Sequence, residues 1–259
     1  MIARINNFIR QVICYVIRRA KRKIKPFPYQ ITLTNLVSQG CKFEVTTHVE
    51  AGRVVSLGGE EEFIRLFLSE IRPGDVFFDV GSCVGLFALH AAICGTRVWA
   101  FEPDPSYRGR LIRNIRINKL QSSIEVVEWA VSDQKGVANI YTDGLEGNRS
   151  PSLNLIGERS AIVVNTDSID NAIADSRLPL PTLVKIDIEG AEILALRGMN
   201  KLLSSKDAPR YLFIELHPDF LKGFRSSIEE CVTIIESFGY VAEYSRSRAD
   251  QFHYIYRKG

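Results

Sequence analysis

From Glu60 onward the chain alternates short apolar runs with segments of helical periodicity, and this restricts it to a mainly parallel sheet with helices on both faces. The spacing predicts helix 60–71, strand 75–80, helix 84–94, strand 97–102, helix 106–119 and strand 124–131. A hairpin around Gly136 and an irregular Gly/Asn/Ser-rich stretch, 143–154, are expected next. Strands 161–165 and 182–187, helix 190–203, strand 211–216, helix 226–238 and a terminal strand pair, 240–245 and 252–257, complete the pattern. The fold class is therefore α/β and Rossmann-like, with an antiparallel C-terminal strand pair. At 259 residues and 46% hydrophobic content, one substantial core is expected rather than two equal domains.

Residues 1–25 stand apart. They hold eight Lys/Arg and no acid, so the rest of the chain carries −5 against an overall +3, too mild a balance to imply nucleic-acid binding. Ile2, Ile5, Phe8, Ile9, Val12, Ile13, Val16, Ile17 and Ala20 fall at helical spacing, which reads as a basic amphipathic helix. Such a helix over residues 2–24 either makes peripheral contact with an anionic membrane or packs on the domain. Its apolar run Val12–Ile17 is far below the roughly 20 residues of a membrane span, and no signal-peptide cleavage site follows. Pro26 and Pro28 stop it, and residues 26–58 read as a small β-rich cap with short strands at 31–33, 42–47 and 53–57, leaving 59–259 as the main domain. The cysteines, Cys14, Cys41, Cys83, Cys94 and Cys231, are odd in number and widely spaced. They argue against a disulfide framework or zinc site and for a cytoplasmic location, with the inner membrane face as the place of any peripheral contact.

The segment Pro73–Gly85 is an apolar strand running into a Gly81-x-x-x-Gly85 turn that opens a helix. Gly81 allows a tight turn and close approach of a ligand, and Gly85 allows the helix to sit close to the strand. The free N–H groups at the helix start suit a carboxylate, and Asp79 suits an ammonium. A dinucleotide loop would need glycine where Cys83 stands. About twenty residues after Gly81, Glu102 ends the next strand, where a carboxylate can accept hydrogen bonds from both hydroxyls of a ribose. Trp129 and Ala130 end the following strand, at the place where an adenine would rest; the alternative for Trp129 is packing in the core.

The order of motifs resembles the FkbM family of methyltransferases: Asp79–Gly85, Phe101-Glu102-Pro103, Ala130–Asp133, Thr166–Asp170, Lys185–Glu192 and Phe213–His217. The last two blocks narrow the resemblance to this family, and Ser82-Cys83 departs from the Ala-Asn often found there. The resemblance implies a class I methyltransferase fold and S-adenosylmethionine as methyl donor. It also implies O-methylation of a hydroxyl on a sugar, lipid-linked glycan or polyketide-type natural product. Asp79, Gly81, Ser82, Gly85, Glu102, Trp129 and Ala130 are then the expected cofactor contacts.

Asp187 and His217 stand at the carboxyl ends of strands, where open parallel sheets bind ligands. An alcohol needs a base or a metal to become a nucleophile at neutral pH, and His217, with an ordinary pKa of roughly 6.5, suits the base role. Asp187, Glu189 and Glu215 are open to three roles: orienting that base, binding substrate or holding a divalent cation; no residue is assigned as a metal ligand. Simpler readings are a capping role for His217, an ion pair between Lys185 and Asp187, and a solvated helix position for Glu192. The expected catalytic residues are His217, Asp187 and Glu215. The rival reading is a non-catalytic, membrane-associated binding module that keeps the methyltransferase fold.

Overall fold

Residues 60–131 fold as the strand and helix alternation dictates. The computed structural model describes residues 26–146, 151–153, 160–248 and 251–259, so the expected N-terminal helix lies outside the described residues. The chain opens with β1 (Tyr29–Leu33), β2 (Cys41–Val45), α1 (His48–Val55) and α2 (Glu61–Ser69). The core alternation follows as β3 (Val76–Val80), α3 (Leu86–Ile93), β4 (Arg97–Phe101), α4 (Pro105–Ile117) and β5 (Ile124–Val127). The second half comprises β6 (Ala130–Val131), β7 (Gly136–Thr142), β8 (Ser160–Asp167), α5 (Ile169–Ala174), β9 (Leu183–Ile186), α6 (Glu192–Arg197), α7 (Asn200–Ser204) and β10 (Tyr211–Leu216). It ends with α8 (Pro218–Leu221), α9 (Ile228–Ser237), β11 (Tyr240–Arg248) and β12 (Gln251–Lys258).

The main sheet has the order β11-β12-β10-β9-β3-β4-β5, and only β12 runs against its neighbours. Alternate residues along each strand feed two cores. Phe77, Val98, Leu183 and Phe213 face α2, α3, α4 and the β1/β2 hairpin, while Phe78, Trp99, Val184 and Leu212 face α5, α6, α7 and α9. Coverage on both faces is why β9 and β10 are buried along their whole length and are apolar except at Lys185 and Glu215. The order reverses at β3: the chain runs from it to β4 and β5 on one side, then returns to β9 on the other. A crevice therefore opens beyond the carboxyl ends of β3 and β9.

Several expectations needed correction. Residues 53–57 are not a strand: α1 covers most of them, capped by Thr47 Oγ1, which accepts from Glu50 N at 3.1 Å. The Val54-Val55 pair favours a strand locally, but this cap and burial of Ala51 and Val54 override it. The β1/β2 hairpin is fixed to α4 through Lys42 N on Asn118 Oδ1 and Glu44 N on Asn114 Oδ1, each 2.8 Å, and shares the core of the main sheet. No hairpin forms around Gly136. Instead β8 lies between β6 and β7, pairing parallel to one and antiparallel to the other. Strand 124–131 is split at Glu128-Trp129, where the Trp129 ring turns edge-on to Phe101 with centroids 5.2 Å apart. Helix 190–203 is broken at Gly198, where a Cβ would lie 2.0 Å from the Ser132 carbonyl oxygen; the main chain itself packs against the residue that follows β6.

Among the described residues no helix is long and apolar enough to cross a membrane.

Candidate active site

The loop after β3 is tied to β4 and β9 by its own backbone. Gly81 N and Ser82 N both donate to Phe101 O, at 3.1 and 3.0 Å. Gly81 has φ +87°, and a Cβ there would sit 1.8 Å from the Asp187 carbonyl oxygen. The close approach that requires glycine is thus to the end of β9. Ser82 Oγ donates to Asp79 O at 2.7 Å, and Gly85 closes the turn by donating to Ser82 O at 2.8 Å. Asp79 lies beneath the loop, 1% exposed, and accepts Ala88 N at 3.1 Å. The carboxylate meeting the start of α3 is therefore the chain's own. Asp79 lines neither of the two cavities described below.

Glu102, 3% exposed, accepts Cys83 N on Oε2 at 2.8 Å and Asp104 N on Oε1 at 2.9 Å. Burial pushes its carboxyl up to about 8, against two N–H donors that favour the charged form. Glu102 borders an apolar cleft of about 70 Å³ whose walls include Val80, Phe101, Trp129, Ala130, Val131 and Ile140. Trp129 lines the cleft and also packs on Phe101.

Gly81, Cys83, Asp187 and Glu189 form a wall common to this cleft and to a polar cavity of about 240 Å³. The polar cavity is lined further by Arg53, Glu60, Lys185, Glu215, Arg248 and Gln251. Lys185 Nζ lies 3.1 Å from Asp187 Oδ2, 3.8 Å from Asp79 Oδ1 and 4.8 Å from the Phe87 ring centroid, so the ion pair read from sequence is present. Although burial disfavours its charge, the carboxylates of Asp187 and Asp79 hold its ammonium above the usual lysine range. Burial beside Glu215 and Asp187 pushes the Glu60 carboxyl up to about 8.

His217, 4% exposed, is ringed by carboxylates. Its Nδ1 meets Glu192 Oε1 at 2.9 Å; its Nε2 meets Glu215 Oε1 at 3.2 Å, Glu189 Oε2 at 3.7 Å and Asp187 Oδ1 at 4.0 Å. Although burial disfavours its charge, hydrogen bonds to Glu192 and Glu215 raise its pKa well above the ordinary histidine value. The mostly neutral imidazole assumed from the unperturbed pKa is therefore not the state this setting favours. Glu192 is not a solvated helix residue: it is fully buried and also accepts Gly190 N at 3.0 Å. Glu215 Oε2 lies 2.8 Å from His253 Nε2.

The structure thus brings Asp187, Glu215 and His217 together, with Glu189 and Glu192 beside them. Arg53, Glu60, Arg248 and His253 were not anticipated. Arg53 comes from the segment read as a cap, Glu60 from the start of the expected helix 60–71, and Arg248 and His253 from the C-terminal strand pair, so no local motif linked them to the loop.

A family model described as the methyltransferase FkbM domain matches residues 79–242. Hexuronic acid methyltransferase AglP of Haloferax volcanii is 31% identical over 178 residues, 68% of this chain and 70% of that protein. The 31-O-demethyl-FK506 methyltransferase FkbM of Streptomyces tacrolimicus is 39% identical over 95 residues, 35% of this chain and 36% of that protein. Methyltransferase FkbM from Methylobacillus flagellatus KT shares the fold at a TM-score of 0.51 and 20% identity, over 73% of this chain and 45% of that one.

Proposed function

The chain belongs to the FkbM methyltransferase family, and on that premise we propose that it moves a methyl group from S-adenosylmethionine to a hydroxyl of a sugar, lipid-linked glycan or polyketide-type product. The observation that carries this reading is the shared wall: an apolar cleft bordered by Glu102 and a polar cavity bordered by carboxylates meet at Gly81, Cys83, Asp187 and Glu189. A donor seated in the cleft would present its reacting end to an acceptor in the polar cavity. The named relatives act on a hexuronic acid and on a demethylated FK506, which supports an oxygen-rich small molecule or glycan as the acceptor class.

The residues present fit S-adenosylmethionine. Glu102 already orients both oxygens through backbone N–H groups and keeps lone pairs for the two ribose hydroxyls. Phe101 and Trp129 offer flat aromatic walls and Val131 an aliphatic one to an adenine, and the strand end at Ala130 offers backbone polar groups to its edge. Arg53 bonds to Tyr107 OH at 3.3 Å and Cys83 Sγ at 3.6 Å, both neutral, so its charge is available to the carboxylate of a methionine moiety. When bound, this cofactor supplies an electrophilic methyl carbon on a sulfonium.

The acceptor hydroxyl sits among Asp187, Glu215 and His217, with its proton passing to the carboxylate group around the polar cavity. His217, gripped by Glu192, holds the carboxylates in position. Calorimetric titration with S-adenosylmethionine tests the cleft, and release of S-adenosylhomocysteine in the presence of a hydroxylated acceptor mixture tests the chemistry. Binding without release would favour a binding module that keeps the fold. Residues 2–24 add peripheral contact with an anionic membrane surface, each basic residue contributing roughly 1 kcal/mol. Equal co-sedimentation with vesicles by full-length and truncated protein would refute that contact.

A further inference from the structure

Carboxylates outnumber cations around the polar cavity. Glu60, Asp187, Glu189 and Glu215 line it and Asp79 lies beside it, against Arg53, Lys185 and Arg248. Lys185 is engaged by Asp187 and Asp79, and Arg248 donates to Gly58 O at 2.6 Å. Behind this group, fully buried Glu192 has one oxygen on His217 Nδ1 and Gly190 N, while its Oε2 has no hydrogen-bond partner among the described residues. A divalent cation would be stabilised among these carboxylates.

The geometry provides a place for one. Asp187 Oδ1, Glu189 Oε2 and His217 Nε2 face one another, the histidine nitrogen being 4.0 and 3.7 Å from the two oxygens. One ligating atom from each residue lies within 4.8 Å of the other two. A cation bound at about 2.1–2.4 Å places its ligands roughly 3.0–4.8 Å apart, so one ion can touch all three. The contact from Glu192 to Nδ1 holds the ring so that Nε2 faces Glu215, Glu189 and Asp187, the arrangement by which a buried carboxylate orients a metal-binding imidazole.

We propose that Asp187, Glu189 and His217 bind one divalent cation of the manganese or magnesium class, and that this cation holds and acidifies the acceptor hydroxyl. Two carboxylates and one imidazole with open positions suit such an ion. Asp187 and Glu189 belong to the wall shared by the two cavities, so the ion stands at their junction. There the hydroxyl oxygen shares a lone pair with the cation, its O–H bond breaks, and the oxygen keeps the bonding pair. The proton passes to the ionised form of Glu60, a cavity carboxylate outside the cation's ligand set. The role of the ion rests on the methyl-transfer reading; its binding does not.

The test is manganese binding, followed by electron paramagnetic resonance of the free ion and by calorimetry, on full-length protein first stripped with chelator. One site per chain is expected, weakened at least tenfold in Asp187→Asn and His217→Gln and unchanged in Glu61→Gln, an exposed residue paired with Arg65. Pulsed resonance on wild type should show coupling from one imidazole nitrogen, a readout independent of whether any variant folds. Absence of saturable binding at millimolar manganese, or bound ion without nitrogen coupling, overturns the site. If S-adenosylmethionine binds and turns over normally in chelator, the cation inference fails while the methyl-transfer reading stands. If manganese binds with nitrogen coupling but S-adenosylmethionine does not bind, the site stands and the methyl-transfer reading fails.

Discussion

Replacing Glu102 by alanine removes a carboxylate that serves the loop and, in the proposed function, the ribose. In the free protein it takes N–H groups from Cys83 and Asp104, and its loss leaves two donors at a nearly closed position, 3% exposed. Leaving a buried donor unsatisfied costs about 1–3 kcal/mol, so Glu102→Ala should melt lower than wild type but remain folded. Toward the cofactor, two charge-assisted hydrogen bonds of about 1.5–3 kcal/mol each are lost. Even one such bond, discounted for water taking its place, corresponds to about a tenfold weaker Kd. The assay is calorimetric titration of S-adenosylmethionine into protein whose folding has been verified by circular dichroism, at a temperature well below the melting point of the variant. A Kd within twofold of wild type in folded Glu102→Ala would refute the ribose assignment.

Three further outcomes follow from the same geometry. Because burial raises the Glu102 carboxyl to about 8, the group is protonated below that pH in the free protein and is driven to ionise by donating hydroxyls. S-adenosylmethionine affinity should therefore rise with pH up to about 8 and then level, and in Glu102→Gln this component should vanish; the cofactor-free fold gains from the raised carboxyl below its unfolded pKa and loses that gain as pH climbs through 8, visible as a falling melting temperature that Glu102→Gln abolishes. Arg53→Gln should weaken S-adenosylmethionine about tenfold while leaving adenosine binding unaltered, measured by competition; equal losses for both ligands would remove the methionine carboxylate from Arg53. Gly81→Ala would drive a Cβ against the Asp187 carbonyl oxygen and impose φ +87° on an L-residue, so a loss of about 2 kcal/mol or more is expected in urea unfolding, and an unchanged midpoint would contradict the packing described.

The parts of this molecule legible in the sequence are those set by neighbours along the chain. Strand β3, the Gly81–Gly85 turn and the acid at the end of β4 follow from local pattern, because a strand-end carboxylate and a glycine turn are defined within a few residues. Glu192 shows the opposite case. On a helix it reads as a polar, solvated residue, and only His217, arriving 25 positions later at the end of β10, turns it into a buried partner. Arg53 was obscured for a related reason. Local valines suggested a strand at 53–57, whereas a capped helix packs there and brings its flank to the polar cavity. The ordinary pKa assumed for His217 failed on environment too, since no spacing rule reveals four carboxylates converging from residues 187–192 and 215.

The central claim is that the apolar cleft holds a methyl donor whose group passes to a hydroxyl in the adjoining cavity. Incubation with S-adenosylmethionine carrying a labelled methyl group and a mixture of uronic acids, neutral sugars and polyketide alcohols, analysed by mass spectrometry, tests it directly. The account predicts label in an ether-linked methyl on one acceptor class, with one S-adenosylhomocysteine released for each product formed. Saturable binding of S-adenosylmethionine with no S-adenosylhomocysteine above the acceptor-free control, or label recovered only on carbon or nitrogen, would contradict it.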